Sequence, residues 1–173
     1  MMMQMLEAGG MPILTDGRRS TDEDNLRGYY EFEPVKRLRR DSEWLRQAKG
    51  KAVKVIYLLV EELPAGYDYQ VIFMCRDLPE VVRSQQAMLE RNEKQGAGLG
   101  PEEMVEVYRR QLASFNAWLA EQPNFRRLDV AYREAIENSH ATCQQIVEFL
   151  DLPLDVDAMA SVVEPSLYRQ RSG

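Results

Sequence analysis

Hydrophobic and polar positions divide the chain into strands and helices in turn. VIFMC at residues 71–75 is an unbroken apolar run, the pattern of a strand buried on both faces of a parallel sheet. Residues 52–57, rich in β-branched side chains, read as another strand, and 11–14 as a short one. Farther on, Leu128, Val130 and Tyr132 alternate with Asp129, Ala131 and Arg133, which predicts a half-buried strand.

Helical periods fill the intervals. Residues 1–8 predict a short helix stopped by Gly9 and Gly10, and another helix begins near Pro34. Asp77-Leu78-Pro79-Glu80 is a helix start, with Asp77 as cap and Glu80 three residues on. That helix runs to about Lys94 with Val81, Val82, Gln85, Met88 and Leu89 along one side. Pro101 opens the next, with Glu102 and Glu103 in its first turn and the stripe Met104, Tyr108, Leu112, Phe115 and Leu119. After a cap at Asn138 or Ser139, the face Ile136, His140, Cys143, Val147 and Leu150 predicts a further helix, ended by 151–153. A last short helix is expected within 155–163. Loops are expected at 15–28, 63–66 and 95–100. Strands that alternate with helices imply a single α/β domain over 1–173 with a mainly parallel sheet. The two helices between the strands near 71 and 128 form the long crossover that parallel pairing needs.

Charge narrows the range of functions. The 173 residues carry a formal charge of -6, against the excess of cations that general nucleic-acid binding requires, so no nucleic-acid partner is expected. Basic residues gather between Arg18 and Lys54, as a solvated surface or as one locally positive face. Two cysteines, Cys75 and Cys143, and a single histidine have no zinc-like spacing, so no metal is expected; without a disulfide framework, a reducing cytoplasm is. The apolar start MMMQMLEAGG is too short for a leader, and no run is long enough to span a membrane.

In a parallel sheet, ligands bind beyond the carboxyl ends of the strands. The run 71–75 delivers Arg76 to that edge, a permanent cation with a planar fork suited to phosphate, and Ser84 follows eight residues later in the helix. These two residues suit a phosphate gripped from two sides. The same arginine equally suits an ion pair with Asp77 or a bond to a loop carbonyl. Tyr132 closes its strand, as a hydrophobic edge or as a ring beside a ligand. His140, on an apolar stripe, reads as a core or boundary residue, and Cys75 as a buried strand residue without the arginine spacing of a phosphatase loop. Asp22, Glu23 and Asp24 form a charge run, solvated or available as a base.

The stretch KVIYLLVEELPAGYDYQVIFMCRDLPEVVRSQQAML resembles the second and third strand regions of the P-loop sulfotransferases, where a strand ends in Arg, a polar-Pro turn follows and a Ser comes eight residues after the Arg. LDVAYREAIENSHATCQQIVEFLDL is similar to that family's strand ending in Tyr with its following helix, SLYRQR to its basic C-terminal segment, and GYYEFEPVKRL has the look of its bacterial members. The resemblance implies a three-layer, P-loop-like α/β fold with a mainly parallel sheet flanked by helices. It implies 3′-phosphoadenosine 5′-phosphosulfate as co-substrate and its 3′,5′-bisphosphate as product. Arg76 and Ser84 then hold the 3′-phosphate, Tyr132 lies near the adenine, Arg169 and Arg171 approach the 3′-phosphate unless the tail is unstructured, and Lys54 supports the transferring group unless it merely faces solvent.

Two departures from the family stand out. MMMQMLEAGG looks like the helix that follows the family's phosphate-binding loop, so the strand and loop are expected before Met1 and the domain is expected to be N-terminally incomplete. QGAGLG lacks the Lys-Ser/Thr ending and reads as a plain loop. The position of the family's catalytic histidine, after 53–55, is Ile56. A missing central strand predicts that the chain dimerises, fills the gap with another segment, or is marginally stable. Three readings follow: a sulfotransferase acting on a small-molecule or glycan-like hydroxyl or amine acceptor, a nucleotide-binding relative without transfer, and a protein-interaction remnant.

Overall fold

The computed structural model describes residues 1–17, 28–91 and 98–164. Asp22, Glu23, Asp24, the start of QGAGLG, Arg169 and Arg171 therefore lie outside the described residues. Two strands, β1 (Tyr69–Cys75) and β2 (Phe125–Ala131), pair in parallel, with Ile72 opposite Leu128 and Cys75 opposite Ala131. Parallel neighbours cannot be joined by a tight turn, and the chain returns through α3 (Leu78–Arg91) and α4 (Pro101–Ala120), the expected crossover. These two helices lie against each other, and the Tyr108 hydroxyl donates to Gln85 across the contact.

Alternation of side chains along a strand gives the sheet two packed faces. Ile72, Met74, Leu128 and Val130 point toward α1 (Met2–Ala8), α6 (Ser139–Leu150) and α7 (Val156–Ser161), where Met5, Cys143, Ile146 and Met159 are fully buried. Phe73 and Phe125 point the other way, against Phe115 and Leu119 of α4 and Val60. The architecture is therefore helices, sheet, helices. A third apolar cluster, around Leu14, Val35, Leu38, Trp44 and Leu45, is assembled from short pieces: a 3₁₀ turn at Glu33–Arg37, α2 (Leu45–Ala48) and a second 3₁₀ turn at Tyr57–Glu62. Val55 and Leu63 touch both this cluster and the one around Phe115, and so join them.

The sheet is smaller than the pattern predicts. The strands expected at 11–14 and 52–57 reduce to one parallel bridge between Ile13 and Ala52, with the Leu14 N–H donating to the Ala52 carbonyl at 2.9 Å and the Ala52 N–H to the Pro12 carbonyl at 2.8 Å. Val53 and Val55 belong to no strand and spend their apolar surface on the Trp44 cluster, and the chain turns into the 3₁₀ segment at Tyr57. β-branched residues fit a packed pleated surface rather than dictating a ladder, and that surface is absent on their other side: Ile56 and Leu58 are exposed. For a related reason 71–75 is half-buried rather than buried, since β1 has one strand neighbour among the described residues.

The carboxyl-terminal helices also depart from expectation. β2 ends at Ala131, and Tyr132 opens a separate helix, α5 (Tyr132–Glu137). A break at Asn138 (φ -129°, ψ 52°) places Ile136 and Cys143 on different helices. The buried face of α6 is Thr142, Cys143, Ile146 and Leu150. His140 is not in the core: its side chain is 64% exposed and lies 3.2 Å from Asp157. Both stripes are helical and share Cys143 and Leu150; contact with α1 and α7 selected the one that carries Ile146. Asn138 occupies the cap position, but its amide donates to Glu134 instead of capping. Asp155 does cap α7, accepting from the Ala158 N–H at 2.9 Å, as the expected last helix requires.

Candidate functional site

Residues that follow β1 and β2 meet at the carboxyl edge of the sheet. Cys75 and Ala131 are register partners, so Arg76 and Tyr132, each the next residue in its chain segment, emerge side by side. The guanidinium carbon of Arg76 lies 5.0 Å from the centre of the Tyr132 ring, a cation–π contact. The joint behind Arg76 is rigid. Asp77 Oδ1 accepts the Glu80 N–H at 3.1 Å, and the Asp77 carbonyl accepts from Val81 at 3.0 Å, so α3 starts where the sequence predicts.

Arg76 pairs with Glu80. Its Nε donates to Glu80 Oε2 at 3.3 Å, and Glu80 is buried, only 4% exposed. Asp77 is committed to the helix cap, while Glu80 lies one turn in and faces back toward the strand end. Ser84, half-buried, stands one helical turn beyond Glu80 on the same flank of α3. The edge thus collects a cation held by a carboxylate and an aromatic face, with a hydroxyl farther along the helix that holds the carboxylate. Sequence reasoning named Arg76, Ser84 and Tyr132 but missed Glu80. Its four-residue offset from Arg76 was the available signal.

Lys54 is held elsewhere. It is exposed and outside any strand, and its Nζ donates to the Tyr29 carbonyl at 3.0 Å and lies 6.0 Å from the Tyr29 ring centre. The segment it holds is pinned at several points. Tyr30, at φ 51°, donates its hydroxyl to Glu7; Thr15 Oγ1 donates to the Glu31 carbonyl at 2.8 Å; Asp16 Oδ2 accepts the Glu33 N–H at 2.8 Å. Burial, and then the Glu7 carboxylate, push the Tyr30 hydroxyl up to about 12.

The face of the sheet toward α4 carries a second polar group. Arg127 lies 4.4 Å from the Phe73 ring centre, reaches Asn116 Oδ1 at 2.7 Å and pairs with Asp129 at 2.6 Å, while the Cys75 thiol lies 3.5 Å from the same carboxylate. Burial and then Asp129 raise the Cys75 thiol above its ordinary value, which keeps it protonated and a poor nucleophile. Among the described residues no group of three or more His, Cys, Asp or Glu is arranged to hold a metal, and no helix is long and apolar enough to cross a membrane.

A parallel strand pair, a long helical crossover and a cation at the carboxyl edge define an α/β domain, a class whose ligands lie outside the carboxyl ends of its strands. Residues 18–156 match the model of the sulfotransferase family, and the chain belongs to that family, with its P-loop-like α/β fold. No curated protein and no solved structure matched the chain.

Proposed function

We propose that this member of the sulfotransferase family transfers a sulfuryl group from 3′-phosphoadenosine 5′-phosphosulfate to a hydroxyl or amine of a small-molecule or glycan-like acceptor. The observation that carries the reading is Arg76, held at the carboxyl edge of the parallel pair between Glu80 and the Tyr132 ring. The residues fit a 3′-phosphate. Arginine offers a planar fork, Ser84 a hydroxyl on the same flank of α3, and Tyr132 a ring beside the site where adenine stacks. Arg169 and Arg171 add positive charge to the same phosphate.

The co-substrate supplies an activated sulfuryl group: its S–O bond to the 5′-phosphate breaks as the acceptor oxygen or nitrogen bonds to sulfur, the 3′,5′-bisphosphate leaves, and the acceptor's proton passes to solvent. The residues of this chain contribute positioning and charge. Arg76 and Ser84 fix the nucleotide end, and Lys54 stabilises the transferring group after exchanging the Tyr29 carbonyl for it. The two free cysteines suit a reducing cytoplasm, and a second copy of the chain is the partner proposed for the open sheet.

A second reading, binding of the nucleotide without transfer, draws on the resemblance, which puts Ile56 where the family has its histidine, and on the Lys54 amine being engaged by Tyr29.

Thermal unfolding with adenosine 3′,5′-bisphosphate against AMP tests the proposal. At about 100 times its dissociation constant the bisphosphate stabilises by about 2.7 kcal/mol, which raises Tm by roughly 5–10 °C. The shift is expected with the bisphosphate alone and is lost in Arg76→Ala; no shift with either nucleotide overturns the donor site. Transfer of labelled sulfate to a panel of hydroxyl and amine acceptors then separates the two readings.

A further inference from the structure

We propose that Gln85, Tyr108, Gln111 and Tyr57 form one row that binds the acceptor, and that the acceptor it selects is a neutral, hydroxyl-rich molecule, a sugar, rather than an amine. The inference rests on the transfer reaction proposed above and deepens it. The row crosses three elements. The Tyr108 hydroxyl of α4 donates to Gln85 Oε1 of α3, and the hydroxyl of Tyr57, the first residue of the second 3₁₀ turn, donates to Gln111 Oε1 of α4 at 2.7 Å. Tyr108 and Gln111 are three residues apart, one turn along the same flank of α4, so the two pairs are neighbours. Gln85 follows Ser84 directly, and Tyr57 lies three residues after Lys54. The row therefore starts and ends beside the residues proposed for the nucleotide and for the transferring group.

Each pair leaves part of its hydrogen-bonding capacity unspent. A glutamine that accepts through its oxygen keeps an amide nitrogen with two N–H donors, and a phenol that donates keeps an oxygen able to accept. Among the described residues no further partner engages these four polar groups. The buried side-chain atoms without a partner are Trp44 Nε1 and Thr142 Oγ1, so the spare amide nitrogens of the row are open to water. Two bonds already tie α3, α4 and the 3₁₀ turn together; the spare donors and acceptors are what suits a ligand. They alternate along the row, and the row is uncharged: burial, and then the Tyr108 phenol, raise the Tyr57 hydroxyl above its ordinary value, which keeps it protonated at neutral pH. Successive hydroxyls of a sugar both donate and accept, and replace water there without bringing charge; an ammonium group has donors only, and leaves the amide nitrogens unpaired. The Tyr57 ring is braced edge-on against Phe115 at 5.8 Å, so its hydroxyl is held before a ligand arrives and less freedom is lost on binding.

The experiment titrates the full chain and two variants, Tyr57→Phe and Gln111→Met, with neutral disaccharides (maltose, cellobiose and lactose) and with hexylamine, followed by saturation-transfer NMR, and separately with adenosine 3′,5′-bisphosphate by calorimetry. At least one disaccharide is expected to bind, and hexylamine is not. Each substitution is expected to weaken the disaccharide by about fivefold, the scale of one neutral hydrogen bond, and to leave the bisphosphate unchanged. Gln111→Met keeps the length of the side chain and removes the amide. If it fails to fold, Tyr57→Phe, which keeps the ring against Phe115, carries the test.

Equal weakening of disaccharide and bisphosphate would mean that the row only holds the helices together, and overturns the proposal. Disaccharide binding that is the same in wild type and variants places the sugar elsewhere and overturns it too, as does hexylamine bound through the row as tightly as a sugar. A wild-type chain that binds the bisphosphate and no disaccharide overturns this inference alone. One that binds a disaccharide through the row and no bisphosphate overturns the donor site and leaves the row as a sugar site.

Discussion

Phe115 is the side chain on which the α4 layer depends, and truncating it is the most direct test of the architecture. It is 2% exposed; its ring centre lies 5.5 Å from Phe73 on β1, 5.8 Å from Tyr57 on the 3₁₀ segment and 6.3 Å from Trp118, with the Arg127 guanidinium at 5.7 Å. One ring therefore touches the helix, the sheet and the segment that leads to the third apolar cluster. Phe115→Ala removes a buried aromatic from a site whose walls belong to three different elements and cannot all close in. A loss of about 3–5 kcal/mol is expected, toward the upper end because aromatic pairs add about 0.5–1.5 kcal/mol each beyond burial. At about 2–4 °C per kcal/mol for a chain this size, Tm falls by roughly 6–20 °C. Urea unfolding followed by far-UV circular dichroism and by the fluorescence of the neighbouring Trp118 measures it. Leu58→Ala, at a side chain 49% exposed, is the control and should change stability by no more than about 0.5 kcal/mol. A Phe115→Ala loss under about 1 kcal/mol would refute the packing of α4 on the sheet.

Two further outcomes follow from local geometry. Gly9→Ala places a Cβ 2.6 Å from Met159 Cγ and 2.9 Å from its sulfur, on α7, and 3.3 Å from Leu154 Cβ, just before that helix; since Gly9 has ordinary helical φ, the cost is overpacking, about 1–3 kcal/mol in urea unfolding, and it is relieved in a Met159→Ala background. Burial pushes the Tyr30 and Tyr69 hydroxyls from 10 up to about 12, so above pH 10 the unfolded chain releases protons that the folded chain keeps; stability is full below pH 10 and declines as pH rises toward 12, and a urea midpoint that stays constant to pH 12 would contradict this.

Patterns that carry their own local explanation were legible in the sequence. The apolar run at 71–75, the Asp77 start, the Pro101 helix with its stripe ending in Phe115 and Leu119, and the short helix after Asp155 all appear where spacing and capping put them. Each is decided by contacts within a turn or two of chain, which is why residue order suffices. Arg76 at a strand end and Ser84 one turn beyond Glu80 are of the same kind.

What depends on which surfaces meet was decided only in three dimensions. The β-branched stretch 52–57 makes a bridge instead of a strand because its apolar side was taken by the Trp44 cluster. His140 lies in solvent because α1 and α7 chose the neighbouring stripe of α6. Lys54, placed by pattern on a strand, is tied to Tyr29, a residue 25 positions away. The pairing of Arg76 with Tyr132 follows from the parallel register of strands more than fifty residues apart, and that of Arg76 with Glu80 from the helix that starts at once behind the strand end. Local propensity names the residues able to bear a site; the register of distant strands and the competition for partners decide which of them face each other.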